Sequence, residues 1–173
     1  YPIEDAFRTV GTGTIPVIDD DGVVMGESIA ILQYLTGPPI QRALELGLTV
    51  GPNPDPAAYA EHLQLLHFGE ADLATPVSAI FRTRLMAKNA DPANPTFDWL
   101  VSALGRRLAY LENHFADGRA WVTGESFTIA DISIAYPLGR LETVELGHLL
   151  TPNLAAYRER LRARPAYLRA AEV

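Results

Sequence analysis

Residues 126–136 read SFTIADISIAY, and this stretch carries the clearest local signal in the chain. Thr128 is a favoured helix N-cap, and Asp131 follows three residues later, where its carboxylate can accept from the Thr128 backbone N–H. Phe127 and Ile132 occupy the two positions of a hydrophobic staple, which fixes the angle at which the chain enters the helix. The spacing therefore predicts a capping box at the start of a buried helix, with a role in folding and none in chemistry.

The sequence around this box has helical periodicity from residue 56 to the C-terminus. Asp55–Pro56, Asn94–Pro95 and Thr151–Pro152 each place a capping residue before a proline, which is tolerated at the first helical position. Pro76 should end or kink the first of these helices, and Pro165 should stop the last. The residues expected to face the core are Tyr59, Leu63, Leu66 and Leu73; Phe97, Leu100, Val101, Leu104, Leu108, Leu111 and Phe115; Ile129, Ile132, Ala135 and Tyr136; and Leu154, Tyr157 and Leu161.

The N-terminal part has the period of strands instead. Ile15–Ile18 and Val23–Met25 are short apolar runs joined by a turn at Gly22, which predicts an antiparallel hairpin. A helix follows, with Ser28 as N-cap and Gly37 as its end. The predicted organisation is an α/β part over 1–37, a Pro/Gly-rich linker over 38–55 and an all-helical domain over 56–173.

Composition excludes several classes of function. The 173 residues are 48% hydrophobic and 20% charged, which is typical of a folded globular chain, and no apolar run is long enough to cross a bilayer. The net charge of −7 would repel phosphate backbones, so nucleic-acid binding is not expected. Without cysteine, and with four histidines in no ligand pattern, we expect no disulfide and no metal site. The arginines at 158, 160, 162 and 164 are expected on a solvated helix surface.

Two places in the α/β part have the geometry to hold a ligand. Pro16 cannot donate to a sheet, so it marks an edge, a strand start or a cis bond, and a cis bond would turn the backbone of Ile15 outward. Glu27 and Ser28 lie where a helix begins, and first-turn N–H groups there can hold a carboxylate. Taken alone, these residues favour a hairpin and a capped helix without a ligand.

Together with the capping box, the order of these motifs changes that interpretation. IPVI, DDDG and ESIAILQYL, followed about a hundred residues later by FTIAD, resemble the cytosolic glutathione transferase superfamily of bacterial type. The resemblance covers almost the whole chain. It implies an α/β thioredoxin-like N-terminal domain, partial here, and an all-α C-terminal domain.

The resemblance also implies a role for each matching residue. Ile15 would pair its backbone with the cysteinyl part of glutathione, and Pro16 would be the cis-proline. Glu27 and Ser28 would hold the γ-glutamyl carboxylate, and Thr14 is a weaker match to a position that touches the tripeptide. Thr128 and Asp131 would form the family's folding signature, and glutathione would be the co-substrate, with no metal.

One departure from the family pattern concerns catalysis. Members begin with a β-α-β segment whose first turn carries the Tyr, Ser or Cys that stabilises the thiolate, and nothing before Thr14 reads as that segment. We therefore expect the catalytic residue to lie outside this sequence. An electrophile pocket is expected on the first helices of the helical domain, although structural roles are favoured for each residue individually. Its candidates are His67, Phe81, Arg82 and Arg84.

The expected function is transfer of glutathione's thiolate to a small electrophile. Two alternatives remain: a non-catalytic interaction module of the same fold, and a glutathione-dependent isomerase or thiol reductase. Glu27–Ser28 argues against the module, because a scaffold needs no clamp for a γ-glutamyl group. The resemblance implies a cytoplasmic detoxification enzyme and a homodimer formed through helix 56–75, where Leu65, Phe68 and Ala71–Asp72 add apolar surface beside the stripe. The alternative is that this extra surface lies under the 38–55 linker.

Overall fold

The described part of the chain comes from a computed structural model and comprises residues 15–37, 55–83 and 94–172. The chain divides into two compact units, Tyr1–Val50 and Gly51–Val173. This division lies inside the predicted linker, whose residues 38–54 are outside the described ranges, so the bounds of the linker stay a prediction.

The first unit contains an antiparallel hairpin of strands β1 (Val17–Asp20) and β2 (Val23–Gly26). Asp21 and Gly22 form the two-residue turn, with φ of 52° and 89°. Positive φ at both central residues matches the right-handed twist of the strands, and Gly22 adopts it without steric cost. The hairpin is confirmed, but β1 begins two residues later than predicted and β2 extends one residue further.

Helix α1 (Ser28–Thr36) follows β2 directly. Its N-cap is Glu27 rather than the predicted Ser28, because the Glu27 carbonyl already accepts the first helical hydrogen bond, from the Ile31 N–H at 2.9 Å. Ser28 is therefore the first helical residue. The predicted end is confirmed, since Gly37 is the C-cap.

The second unit opens with one continuous helical run in three parts. Helix α2 (Pro56–Phe68) passes into a π-helical segment (Gly69–Ala74) and then into helix α3 (Thr75–Phe81). The Asp55 side chain accepts from the Ala57 N–H at 3.0 Å, which confirms the predicted cap. Pro76 does not end the run; it lies in the first turn of α3, where a missing N–H is tolerated.

Four further helices complete the described part of this unit, with a short 3₁₀ turn between the second and third. Asn94 caps α4 by accepting from the Thr96 N–H at 2.9 Å, as predicted. Pro165 begins the last helix rather than only stopping the one before it. The helices are α4 (Pro95–His114), α5 (Ile129–Arg140), α6 (Pro152–Arg162) and α7 (Pro165–Ala171), and the 3₁₀ turn is Gly147–Leu149.

Helix α5 crosses the α2–π run at a point of very close approach. The Ser133 hydroxyl donates to the Leu66 carbonyl at 2.8 Å, where the run passes from α to π geometry. A Cβ added to Gly69 would lie 2.3 Å from the Ser133 hydroxyl oxygen and 2.6 Å from its carbonyl carbon. The crossing therefore requires glycine at position 69.

Two residues that the sequence predicts to face the core are exposed in the structure. Tyr136 of α5 is 60% exposed and Tyr59 of α2 is 53% exposed, although both were expected inside. The buried face of α5 is the adjacent one, which includes Ser133 and Ile134, because that face meets the α2–π run. The core side of α2 carries His62, Leu65 and Leu66. The predicted inward residues of α6 are confirmed, since Leu154, Tyr157 and Leu161 are all buried.

Of the four arginines near the C-terminus, Arg160 is exposed as expected, but Arg158, Arg162 and Arg164 are half-buried. Arg158 pairs with Glu142 at 2.8 Å, and its side chain is only 14% exposed. The Arg164 guanidinium lies 3.4 Å from the centroid of the Phe127 ring. These contacts hold α6 and Arg164, two residues beyond it, against the segments that flank α5, so Arg158 and Arg164 are part of the packing. Within the described ranges, no helix combines the length and the apolar character required to cross a membrane.

Candidate functional site

The hairpin brings the two predicted ligand-holding places to the same end of the first unit. Val17 and Gly26 are partners in the β ladder. Pro16 precedes the first of these residues and Glu27 follows the second, so Ile15–Pro16 and Glu27–Ser28 leave the sheet side by side. The two places are about a dozen positions apart in the sequence, but the antiparallel register of the strands brings them close together in space.

The Ile15–Pro16 peptide bond is cis, as predicted. The Ile15 side chain is 80% exposed, which is unusual for a large apolar residue. Pro16 has no N–H to give to the sheet, and β1 accordingly begins at the following residue. Thr14, the third residue predicted here, lies outside the described residues.

Glu27 has a backbone conformation that residues with a side chain rarely adopt. Its φ is 71° and its ψ is 112°, and its side chain makes no capping hydrogen bond. Strained conformations of this kind persist where the surroundings fix them, and they concentrate at ligand-binding positions. Here the conformation turns the chain sharply from β2 into α1. The first-turn N–H groups of α1, which begin at Ser28, point out of the helix N-terminus as in any α-helix. The positive end of the helix dipole lies at the same place and favours an anion.

The capping box is confirmed, and it is part of a larger buried network. The fully buried Asp131 carboxylate accepts from the Thr128 N–H at 2.8 Å, and the Thr128 hydroxyl accepts from the Ala130 N–H at 3.3 Å. Asp131 also accepts from the Val122 N–H at 2.9 Å and from the Tyr157 hydroxyl at 2.8 Å. Burial raises the pKa of Asp131, while these hydrogen bonds act to lower it. The sequence showed the box but not the contacts that join it to α6.

The predicted electrophile pocket is not assembled by the described residues. His67 and Arg82 are both exposed. His67 and Phe81 belong to one helical run and lie about 20 Å apart along it at the usual helical rise, so they are not neighbours. Phe81 packs under Arg140, whose guanidinium lies 5.2 Å from the ring centroid. Arg84 lies outside the described residues, and the pocket stays a prediction.

A cleft that lies between α2 and α4 was not predicted from the sequence. It has a volume of about 330 Å³ and three aromatic rings on its walls. Trp99 is 61% exposed and Tyr110 44% exposed, and the ring of Tyr110 lies 5.3 Å from that of Phe68. The sequence does contain an indication of this cleft, because two large aromatic residues of α4, Trp99 and Tyr110, lie outside the apolar stripe of that helix. The lining residues are Phe68, Trp99, Ala103, Arg106, Arg107 and Tyr110.

Comparison with known proteins identifies the family. A family model described as "Glutathione S-transferase, C-terminal domain" matches residues 57–160, more than half of the chain. Glutathione S-transferase 3 of Schizosaccharomyces pombe is 27% identical, and the match covers 92% of this chain and 67% of that protein. Glutathione S-transferase GstA of Escherichia coli O157:H7 is 26% identical, with 94% of this chain and 74% of that protein covered.

Solved structures agree with this assignment. A glutathione transferase from Methylococcus capsulatus superposes with a TM-score of 0.75 at 27% identity, over 96% of this chain and 76% of the other. A glutathione transferase from Burkholderia graminis, solved with two glutathione molecules bound per subunit, superposes with a TM-score of 0.76 at 25% identity, over 94% and 68%. The fold class is confirmed as a partial thioredoxin-like α/β part followed by a helical domain. The chain therefore belongs to the glutathione S-transferase family.

Proposed function

We propose that this protein binds glutathione at the end of the hairpin and catalyses attack of its thiolate on a small electrophile. The observation that carries the proposal is the β-ladder register, which places Ile15–Pro16 beside Glu27–Ser28. One extended tripeptide can then use both places. Family membership and the glutathione bound in the Burkholderia graminis relative support the same ligand.

Each place suits a different part of glutathione. The backbone of Ile15 offers strand-like hydrogen bonding to the cysteinyl residue. The N-terminus of α1, with Ser28 as its first residue, favours the γ-glutamyl carboxylate, because the helix dipole is positive there. Held at both places, the cysteinyl thiol has a fixed position relative to an incoming electrophile. The reaction needs the thiolate, so the bound thiol's pKa must fall below its ordinary value of about 8.5.

We also propose that the protein acts as a homodimer through α2 and its continuation. The sequence predicts Leu65 in this interface, but Leu65 is 1% exposed and belongs to the core. Other candidates for the dimer interface are Tyr59, Trp99 and Tyr110, which are all exposed on α2 and α4. The partner would cover the cleft between these two helices.

An assay of thiol consumption tests the catalytic part of the proposal. The natural full-length protein should consume glutathione in the presence of a small aromatic halide and release halide ion in equal amount. Halide release distinguishes transfer from isomerisation and from thiol reduction. Binding of glutathione without turnover of any electrophile class would instead support the non-catalytic module.

A further inference from the structure

Tyr34 of α1 connects the helix to the far end of the hairpin. Its hydroxyl donates to the Asp20 carboxylate, with 2.9 Å between Oη and Oδ2. Asp20 is the last residue of β1 and is the ladder partner of Val23. The bond therefore joins the second turn of α1 to the turn end of the hairpin, opposite the end where Ile15 and Ser28 lie.

The dimensions of the two elements explain this contact. From Ser28 to Tyr34 the helix advances about 9 Å at the usual rise. From Gly26 back to Val23 the strand covers about 10 Å. Helix α1 thus runs back along β2 and reaches the level of Asp20 at Tyr34. The helix is attached to the hairpin at one end through Glu27 and at the other through this hydrogen bond.

We propose that Tyr34 and Asp20 are positioning residues for glutathione, an inference that rests on the binding site proposed above. The strained backbone of Glu27 is the pivot between β2 and α1, and such a conformation holds only when its surroundings fix both sides. The Tyr34–Asp20 hydrogen bond fixes the helix side. It keeps the N-terminus of α1 at the distance from Ile15 that one tripeptide spans.

Three substitutions in the natural full-length protein test this role. Tyr34→Phe removes the donor and Asp20→Ala removes the acceptor, and each should weaken glutathione binding about two- to tenfold, the effect of one hydrogen bond. Asp20→Asn keeps an acceptor oxygen and should retain the affinity of the wild type. Tyr136→Phe is the matched control, because Tyr136 is an exposed tyrosine of the helical unit to which no binding role is assigned, and it should change nothing.

A positioning role and a purely structural role differ in the kinetics. Positioning predicts a raised KM for glutathione and an unchanged kcat at saturation, with a loss of affinity larger than any decrease in the melting temperature of the ligand-free protein can explain. Wild-type affinity in both Tyr34→Phe and Asp20→Ala, or a loss of affinity only in proportion to lost stability, would overturn the inference. A wild-type protein that fails to bind glutathione would overturn the proposed function as well, so the two failures are distinguishable.

Discussion

Asp131 receives more hydrogen bonds than a capping box requires. Its carboxylate accepts from the N–H groups of Val122 and Thr128 and from the hydroxyls of Thr128 and Tyr157, and the residue is fully buried. Loss of a cap alone costs about 0.5–2 kcal/mol. Loss of this carboxylate also leaves buried donors without an acceptor, at about 1–3 kcal/mol each.

We therefore expect Asp131→Ala to destabilise the helical unit by about 3 kcal/mol or more. Tyr157→Phe removes one donor of the same network and should cost about 1 kcal/mol. Tyr136→Phe, at an exposed tyrosine of α5, should stay within about 0.5 kcal/mol of the wild type. Denaturant unfolding at neutral pH measures all three, and an Asp131→Ala protein no less stable than Tyr157→Phe would contradict the network.

Glu112 should make the stability of the folded protein depend on pH. Its carboxylate accepts from the Thr151 hydroxyl and from the N–H groups of Asn153 and Leu154, so a residue of α4 caps α6. Burial acts to raise the pKa of Glu112, but these hydrogen bonds outweigh it and the pKa lies below its usual value of 4.5.

A pKa lowered in the folded state stabilises the protein above the unfolded-state pKa and loses that effect as the pH falls through the folded-state value. Wild type should therefore be more stable than Glu112→Gln at pH 7, and the difference should shrink below about pH 4.5. Thermal melting of both proteins from pH 7 to pH 3 measures it. A constant difference over this range would show that the charge of Glu112 has no part in the cap.

At the level of elements, the crossing of α5 over the α2–π run depends on one glycine. Gly69→Ala would place a Cβ against the backbone of Ser133, which cannot rotate away as a side chain end can. We expect a loss of about 1–3 kcal/mol, or more if the helices separate. Gly105→Ala is the matched control, because no atom lies within 4 Å of a Cβ there. That change should instead stabilise α4 by up to about 1 kcal/mol. Equal effects of the two substitutions in denaturant unfolding would contradict the close crossing.

The elements also show what the sequence could predict. Caps such as Asp55, Asn94 and Thr128 were recognisable because a short polar side chain before an apolar stripe acts locally. The cis bond at Pro16 and the turn at Gly22 were recognisable for the same reason. These signals located the hairpin and most helices correctly.

What the sequence could not predict depends on contacts between distant segments. The buried face of α5 was only partly predicted: Ile129 is buried as expected, but Tyr136 is exposed. The Ser133–Gly69 crossing, which selects the buried face, joins residues 64 positions apart. The π segment at Gly69–Ala74 has no local sequence signal comparable to a cap. For the candidate site, the residues were predicted individually, but the Tyr34–Asp20 contact was visible only in three dimensions.

For the whole molecule, the proposed homodimer predicts how assembly responds to surface changes. Light scattering of the natural full-length protein at micromolar concentration should give twice the monomer mass. Trp99→Lys adds a positive charge to a cleft already lined by Arg106 and Arg107 and should shift the protein toward monomer, because a buried unpaired charge is costly at an interface. Tyr136→Lys is the control on another exposed surface and should leave the mass unchanged. A monomeric wild type would rule out the dimer.

The central claim is that the hairpin end binds glutathione through Ile15 and Ser28, and calorimetry tests it most directly. The natural full-length wild-type protein should bind glutathione, and Ser28→Ala should bind it more weakly by about 1.5–3 kcal/mol, the contribution of a hydrogen bond to a charged group. Ser126→Ala, at an exposed serine of the helical unit, should bind as the wild type does. Equal glutathione affinity in wild type and Ser28→Ala would contradict the assigned site.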